Sequence, residues 1–296
     1  MKELDFITYI KDRFNTKRPV VEGVGDDCAV LEYTRDKYML LTTDMIAAGT
    51  HFTKKATPFQ IGWKAMAVNI SDIAAMGGVP KYALVSAGIP PEKNMRFLKG
   101  ITKGIDALAR KFNISIIGGD TNRAPNTVLS ITLIGEVEKR CLAKRSGAKL
   151  HDLVFVTGAL GEGRSKHLRF LPRLKEARIL LRHFKISSMI DLSDGLSMDL
   201  NRLARASSVG VHIYKSLIPL SKKSAQLEEA IFLGEDFELL FTASRNESKR
   251  IIRRMGTKGD LPISLIGEVV SKRPGAWLIE EEGKRKKLKP KGYAHF

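Results

Sequence analysis

The stretch SMIDLSDGLSMDLNRLA, residues 188–204, constrains the fold more than any other part of the chain. Asp191 and Asp194 flank Ser193, and an amphipathic helix begins directly after Gly195. Unpaired N–H groups and the positive end of the helix dipole attract anions to such a helix start. Two carboxylates in the same turn would repel a phosphate unless a divalent cation lay between them. The stretch therefore predicts half of a metal and phosphate site, although an acidic helix cap alone would also explain a single such turn.

Acidic residues recur in glycine turns and at predicted strand ends throughout the chain. The recurrent positions are Asp26, Asp27, Asp44, Asp72, Asp120, Glu235 and Asp236. The segment NISD at 69–72 also echoes DLSD at 191–194. If these turns meet in one cleft, two like charges roughly 4 Å apart cost about 4 kcal/mol at an effective dielectric constant of about 20, so cations must lie among them. Oxygen ligands without His or Cys partners favour Mg²⁺, and several Mg²⁺ ions are predicted.

Size and composition are those of a folded protein with two domains. The chain has 296 residues and a mass of 32.9 kDa, and its 43% of hydrophobic residues suffices for two cores. It contains no apolar run long enough for a membrane span, and its first predicted helix lacks the apolar segment of a signal peptide. Cys28 and Cys141 are too few for a disulfide framework or a thiolate metal site. We expect a cytoplasmic protein with no membrane partner.

The net charge of +18 is spread over both halves of the chain. The densest basic run, GKRKKLKPKG at 283–292, holds no aromatic residue on which a base could stack. A basic surface also attracts anionic nucleotides and phosphate esters. These small anions are therefore favoured as partners over nucleic acid.

A domain boundary is predicted in the polar stretch EKRCLAKRSGAKLHD, residues 138–152. The proposed domains are 1–140 and 141–296. ITLIGEV at 131–137 and ISLIGEV at 263–269 are near-copies. Either the two halves contain related strands, or the same strand sequence is used independently in each half. Two α+β domains facing one cleft is the simplest fold class for this pattern.

Two predicted elements of the first domain deliver polar side chains. KYMLLTTD predicts a strand with Asp44 at its carboxyl end. TPFQIGWKAMAVNISDIAA predicts a helix that begins with a Thr57 and Gln60 capping box and places Asn69 and Asp72 on one face. Buried polar groups on that face would need partners, unless the face is exposed to solvent.

The segment GALGEGRS, residues 158–165, matches the P-loop pattern except that Arg164 replaces the lysine. Arginine is not an equivalent replacement for a compact lysine ammonium, so a strand-to-helix turn is the favoured interpretation. The sequence contains no recognisable Ser-His-Asp or Cys-His nucleophile arrangement and no histidine pair with zinc spacing. No catalytic residue is therefore predicted beyond the metal ligands.

Nine motifs occur in the order that is seen in thiamine-monophosphate kinases. They are GDDCAV, TTD, HF, GWKAMAVNISDIAAMGGVP, GGDT, SGA, GALG, DLSDGL and GEDFELLF. The chain resembles that family from about residue 23 to the closing KGYAHF. The resemblance implies the fold of the aminoimidazole ribonucleotide synthetase superfamily, in which the sheet of an N-terminal α+β domain pairs with that of a second subunit and a larger C-terminal α+β domain follows. A homodimer is therefore expected.

The resemblance also implies direct transfer of the γ-phosphate of ATP to the phosphate of thiamine monophosphate, which gives thiamine diphosphate. The residues expected to hold magnesium ions are Asp27, Thr42, Thr43, Asp44, Asp72, Asp120, Asp191 and Asp194. Those expected to contact ATP are Gly119, Asp120, Arg145 and Ser193, and those expected at the thiamine end are His51, Glu235 and Tyr293. No general base is needed, because the acceptor phosphate is already ionised.

The sequence departs from the family pattern in three places. Leu233 stands where the family usually has a glycine, and Thr102 stands where some members have an aromatic residue near adenine. The segment 159–187 is also short for the family. These departures are expected to affect substrate and nucleotide binding and to leave metal binding intact. A purine-pathway synthetase of the same superfamily and a non-catalytic nucleotide- or nucleic-acid-binding protein remain as alternatives.

Overall fold

The computed structural model describes residues 3–14, 16–221, 226–255 and 262–293. The first half of the chain forms a six-stranded sheet with two long helices on one face. Its elements are α1 (Glu3–Arg13), β1 (Val20–Glu22), β2 (Ala29–Glu32), β3 (Lys37–Ala47), α2 (Pro58–Ala75), β4 (Val79–Ile89), α3 (Met95–Phe112), β5 (Ser115–Arg123) and β6 (Val128–Glu138). The strand order is β1-β2-β3-β6-β4-β5, and only β4 and β5 are parallel.

The second half forms a seven-stranded sheet. Its elements are β7 (Leu153–Thr157), α4 (Gly163–Lys166), α5 (Leu174–His183), β8 (Ile186–Asp191), α6 (Leu196–Ala206), β9 (Gly210–Tyr214), α7 (Leu227–Phe232), β10 (Leu239–Ala243), α8 (Arg245–Met255), β11 (Ile263–Ser271), β12 (Gly275–Ile279) and β13 (Arg285–Leu288). The strand order is β13-β12-β9-β11-β7-β10-β8, and only β9 and β12 are parallel. The predicted α+β class is confirmed, with one sheet on either side of the boundary proposed at residue 140.

Helix α2 is the central element of the molecule. It begins with the predicted capping box, in which Thr57 Oγ1 accepts from the Gln60 N–H at 3.3 Å and Gln60 Oε1 accepts from the Thr57 N–H at 2.9 Å. It packs on β3, β6 and α3 of the first half and on α5 and β8 of the second half. Asn69 is fully buried, so the predicted polar face points into the protein. Neither α2 nor any other helix in the described ranges is long and apolar enough to cross a membrane.

The face of the first sheet that lies opposite α2 is open. On β4, Ala83 is buried, while its neighbours Tyr82 and Leu84 are 48% and 39% exposed. The edge strand β5 is exposed along its whole length, including Ile116 and Ile117. This sheet therefore presents apolar side chains and an unpaired strand edge to its surroundings.

Helices α2 and α3 cross at two glycines. A Cβ atom at Gly62 would lie 2.0 Å from the carbonyl oxygen of Ile101, and one at Gly104 would lie 2.0 Å from the carbonyl oxygen of Phe59. The two backbones are thus in direct contact, and neither position has room for a methyl group. This close crossing fixes the position of α2 in the core.

Gly104→Ala is expected to lower the free energy of unfolding by about 2 kcal/mol or more, because the new methyl group meets backbone atoms that cannot rotate away. Chemical denaturation measures the effect. The matched control is Thr102→Ala on the same helix, where the exposed side chain only bonds the Leu98 carbonyl, and it should change stability by no more than about 0.5 kcal/mol. Equal stability of the two variants would contradict the close crossing.

Candidate active site

Three carboxylates from distant parts of the chain meet in one cluster, called here the carboxylate cluster. Asp27 lies in the turn before β2, Asp72 lies near the end of α2, and Asp191 ends β8. One oxygen from each residue lies within 4.8 Å of the other two. Asp27 and Asp191 are buried, and Asp72 is partly buried. For these three residues, the acidic turns converge as the sequence predicts.

Hydroxyl groups hold two members of the carboxylate cluster in place. Thr42 Oγ1, on β3, donates to Asp72 Oδ2 at 2.6 Å. Ser71 Oγ donates to Asp191 Oδ2 at 2.5 Å, so α2 fixes a carboxylate of the second half as well as its own. Each of these two hydrogen bonds joins elements that are far apart in the sequence and meet only in the folded protein.

Arg145 holds the third member. Its Nη2 donates to Asp27 Oδ1 at 2.5 Å, and its backbone N–H donates to Asp26 Oδ2 at 3.1 Å. The other oxygen, Asp27 Oδ2, is buried and has no hydrogen-bond partner among the described residues. A buried acceptor of this kind normally has a partner, which indicates that the cluster binds a group outside the chain.

The electrostatics of the cluster also point to a cation. Burial, followed by the charges of Asp44, Asp191 and Asp27, raises the pKa of Asp72 well above its usual value. Burial and the charge of Asp27 likewise raise the pKa of Asp191. A divalent cation would relieve both the desolvation and the repulsion. The available ligands are oxygen atoms only, which fits Mg²⁺.

A cavity of about 390 Å³ opens from the carboxylate cluster. The other predicted site residues that line it are Thr42, Thr43, Asp44, His51, Arg145, Ser193, Asp194, Glu235 and Tyr293. The ring centroids of His51 and Tyr293, which both line the cavity, lie 6.2 Å apart. Gly119 and Asp120 do not line this cavity. They lie on the exposed strand β5, where Asp120 Oδ2 accepts from Asn122 Nδ2 at 2.5 Å.

Asp194 lines the cavity but pairs with residues of the helix that follows it. Its Oδ2 accepts from Arg202 Nη1 at 2.5 Å, and its N–H donates to Asp199 Oδ2 at 3.0 Å. Asp199 is fully buried, and burial raises its pKa to about 7. Sequence reasoning did not identify Arg202 or Asp199. The spacing of Asp199 and Arg202, one turn apart on α6, was the available signal, since it lets the arginine pair with that acid.

Lys64 is the most important residue that sequence reasoning missed. It lines the cavity from α2, and its side chain is only 1% exposed. Its ammonium group forms a short ion pair with Glu235 Oε1 and donates to the His51 carbonyl at 2.8 Å. His167 Nδ1 lies 2.7 Å from Lys64 Nζ and 2.8 Å from Glu235 Oε2. A lysine inside the apolar run IGWKAMAV was the available signal, because lysine is rarely buried without a partner.

The loop that carries Glu235 has a strained backbone. Glu235 and Phe237 have φ values of 70° and 49°, in the left-handed region that residues other than glycine rarely adopt. The loop docks on the Ser193 turn, where the Glu235 N–H donates to the Ser193 carbonyl at 2.7 Å. Gly234 permits this approach, since a Cβ atom there would lie 2.4 Å from the same carbonyl oxygen. Leu233 lines the cavity at this point.

The GALGEG segment supports the same loop. The N–H groups of Gly161 and Glu162 each donate to the Asp236 carboxylate at 3.0 Å. Burial raises the pKa of Asp236 to about 7, although hydrogen bonds from the backbone of Gly161 and Gly163 oppose the shift. A strand-to-helix turn is therefore confirmed here, and its amide groups bind a protein carboxylate.

Comparisons with known proteins first give a class. The model of the AIR synthase related protein, N-terminal domain, matches residues 25–137, and that of the C-terminal domain matches residues 142–278. The chain therefore has both domains of this class, and each contains one of the two sheets.

Similar proteins then give a family. The thiamine-monophosphate kinase of Bacillus subtilis (strain 168) is 35% identical over 326 residues, covering 100% of both chains. That of Rhodopirellula baltica is 35% identical over 312 residues, covering 99% of this chain and 97% of the relative. A solved structure of AaThiL complexed with AMPPCP and TMP is 31% identical, with a TM-score of 0.86 over 100% of this chain and 97% of that one. The chain belongs to the thiamine-monophosphate kinase family, and the resemblance predicted from its motifs is confirmed.

The raised carboxyl pKa values predict that the metal-free protein becomes less stable as the pH rises. Burial, with the charge of Asp27, also raises the pKa of Asp26 to about 7. These carboxyls bind protons more tightly in the folded protein than in the unfolded chain, where their pKa is about 4. The stability that this difference provides is present below the unfolded-state pKa and is lost as the pH rises through the folded-state pKa values. In EDTA, the free energy of unfolding should be higher at pH 5.5 than at pH 8 by about 1 kcal/mol or more. Asp191→Asn should reduce this difference. A free energy of unfolding that rises with pH would contradict the proposed repulsion among the buried carboxylates.

Proposed function

We propose that this chain transfers the γ-phosphate of ATP to the phosphate of thiamine monophosphate, giving thiamine diphosphate. The observation that carries the proposal is the carboxylate cluster of Asp27, Asp72 and Asp191 at the head of a cavity of about 390 Å³. Relatives named thiamine-monophosphate kinase cover the whole chain, which supports this acceptor. The solved relative complexed with AMPPCP and TMP supports ATP as the donor.

Several Mg²⁺ ions are proposed at this cluster. The residues of the cavity that would hold them are Asp27, Thr42, Thr43, Asp44, Asp72, Asp191 and Asp194. Asp120, on the exposed strand β5, is proposed as a further ligand. When bound, the ions neutralise the charge on the phosphate oxygens of donor and acceptor. The orphaned oxygen of Asp27 and the raised pKa values of Asp72 and Asp191 support this assignment.

The residues of the chain bind and orient the two substrates. Arg145, whose guanidinium is held by Asp27, and Ser193 at the start of α6 are proposed to contact ATP. His51, Glu235 and Tyr293 line the same cavity and are proposed to contact the thiamine end. An aromatic ring and a carboxylate suit a flat pyrimidine and a thiazolium cation. The acceptor phosphate is ionised at neutral pH, so none of these residues has to remove a proton.

A homodimer is proposed to complete the nucleotide site. The open face of the first sheet carries Tyr82 and Leu84, and the whole of β5 is exposed. Gly119 and Asp120 lie on that strand, outside the cavity of their own chain. Pairing of two such sheets would bury the apolar face and bring these two residues to the nucleotide of a neighbouring subunit. We also propose a cytoplasmic location, which suits an ATP-dependent enzyme with two free, buried cysteines.

Leu84→Asp should convert the dimer to a monomer, because a charge in the centre of an apolar interface cannot be solvated. Light scattering with size exclusion should give about twice the 32.9 kDa chain mass for the unmodified protein and the chain mass for the variant. Ile252→Asp on α8, where Ile252 is 47% exposed, is the control and should leave the mass unchanged. A monomeric unmodified protein would contradict the proposed dimer.

Asp72→Asn should reduce phosphoryl transfer by about 100-fold or more, since the cluster loses a charge that holds its cation. ADP release is measured with ATP, Mg²⁺ and thiamine monophosphate, and again with thiamine or with no acceptor. Asp106→Asn, which alters an exposed ion pair on α3, is the matched control. The circular dichroism spectrum of Asp72→Asn should be unchanged. Near-normal turnover in this variant, or equal turnover without the acceptor in the unmodified protein, would overturn the proposed function.

A further inference from the structure

Lys64 is the one lysine among the described residues that is buried, and the mechanism above gives it no role. It lies on the face of α2 that also carries Val68 and Asp72, and all three residues line the cavity. Burial lowers its pKa, and the charge of Glu235 opposes that shift. An ammonium group in such a place is stable only if its partners are fixed.

The ammonium group of Lys64 lies among three polar groups. They are Glu235 Oε1, the His51 carbonyl oxygen and His167 Nδ1. A lysine ammonium has three donors and no acceptor. Two of these groups, the Glu235 carboxylate and the His51 carbonyl, accept hydrogen bonds from Lys64 and hold its ammonium group in place.

The groups that Lys64 binds belong to the acceptor end of the cavity. His51 follows β3 in the first half of the chain, and Glu235 lies in the strained loop of the second half. Lys64 thus ties residues of both halves of the chain to the rigid helix α2.

His167 completes this arrangement from the segment between α4 and α5. Its Nδ1 lies within hydrogen-bond distance of both Lys64 and Glu235. Although burial opposes ionisation, the hydrogen bond from His167 and the charge of Lys64 keep the pKa of Glu235 below its usual value. Glu235 is therefore presented to the cavity as a carboxylate of fixed orientation.

We propose that Lys64 is a positioning residue for the acceptor, which sets the affinity for the thiamine end through Glu235 and the His51 backbone and does not touch the nucleotide. This role depends on the proposed function, because it presupposes that thiamine monophosphate occupies the cavity. Without Lys64, the Glu235 side chain, which is 31% exposed, can turn to solvent and the acceptor loses a fixed contact.

The test is Lys64→Met, which keeps the hydrocarbon stem and removes the charge. The KM for thiamine monophosphate should rise by about 10-fold to 100-fold, as expected for the loss of a charge-assisted hydrogen bond. The KM for ATP should stay within about twofold, since Lys64 does not reach the nucleotide. Lys103→Met, at an exposed position on α3, is the matched control and should change neither value.

A double-mutant cycle with Glu235→Gln tests whether Lys64 acts through Glu235. In the double variant the KM for thiamine monophosphate should rise by less than the product of the two single rises, because the contribution through Glu235 is lost only once. Additive effects, or equal rises in both KM values, would overturn the proposal and assign Lys64 a purely structural role. If Lys64→Met does not fold, as judged by thermal unfolding, Lys64→Gln, which also removes the charge and keeps a polar side chain, takes its place with the same expected difference between the two KM values.

Failure of this proposal is distinguishable from failure of the proposed function. If the unmodified protein does not phosphorylate thiamine monophosphate, the proposed function is wrong and the role of Lys64 falls with it. If the unmodified protein is active and Lys64→Met has normal KM values for both substrates, only the positioning role is wrong.

Discussion

Repulsion among Asp27, Asp72 and Asp191 is the constraint on which the rest of the structure depends. Three carboxylate oxygens lie within 4.8 Å of one another, and burial raises the pKa of Asp72 and Asp191. Neither half of the chain can build this cluster alone, because Asp72 lies on α2 and Asp191 ends a strand of the second sheet. The continuous core that spans both halves, with α2 at its centre, supplies the apolar packing that keeps the carboxylates together in spite of their charge.

Helix α2 also sets distances along the cavity. Lys64, Val68 and Asp72 are four residues apart and line the cavity on one helix face. At about 1.5 Å per residue, the acceptor end at Lys64 lies about 12 Å along the axis from the carboxylate cluster at Asp72. The close glycine crossing with α3 prevents the helix from shifting. One rigid element thus fixes both the place where charge is neutralised and the place where the acceptor is oriented.

Local signals in the sequence were sufficient for elements whose partners are close in the chain. The Thr57 capping box and the GALGEG turn could be predicted because their determinants lie within a few residues. The arrangement of Lys64 could not, since its partners at 51, 167 and 235 are brought to it only by the tertiary fold. Likewise, the glycines before Asp120 predict a turn, whereas the residue lies within strand β5, and its distance from the cavity depends on the position of that strand at a sheet edge. The roles of the site residues in binding metal, ATP and the acceptor remain predictions.

The near-copied strands ITLIGEV and ISLIGEV become β6 and β11, and each lies inside its sheet between two antiparallel neighbours. Both carry a glycine where another strand comes close. A Cβ atom at Gly135 would lie 3.0 Å from the Val79 carbonyl oxygen, and one at Gly267 would lie 2.0 Å from the His212 carbonyl oxygen. An interior strand with two buried neighbours requires branched apolar residues, and a close approach requires glycine. The glycine and the branched apolar residues shared by the two strands fit these packing requirements, which favours independent use of the same strand sequence in the two halves.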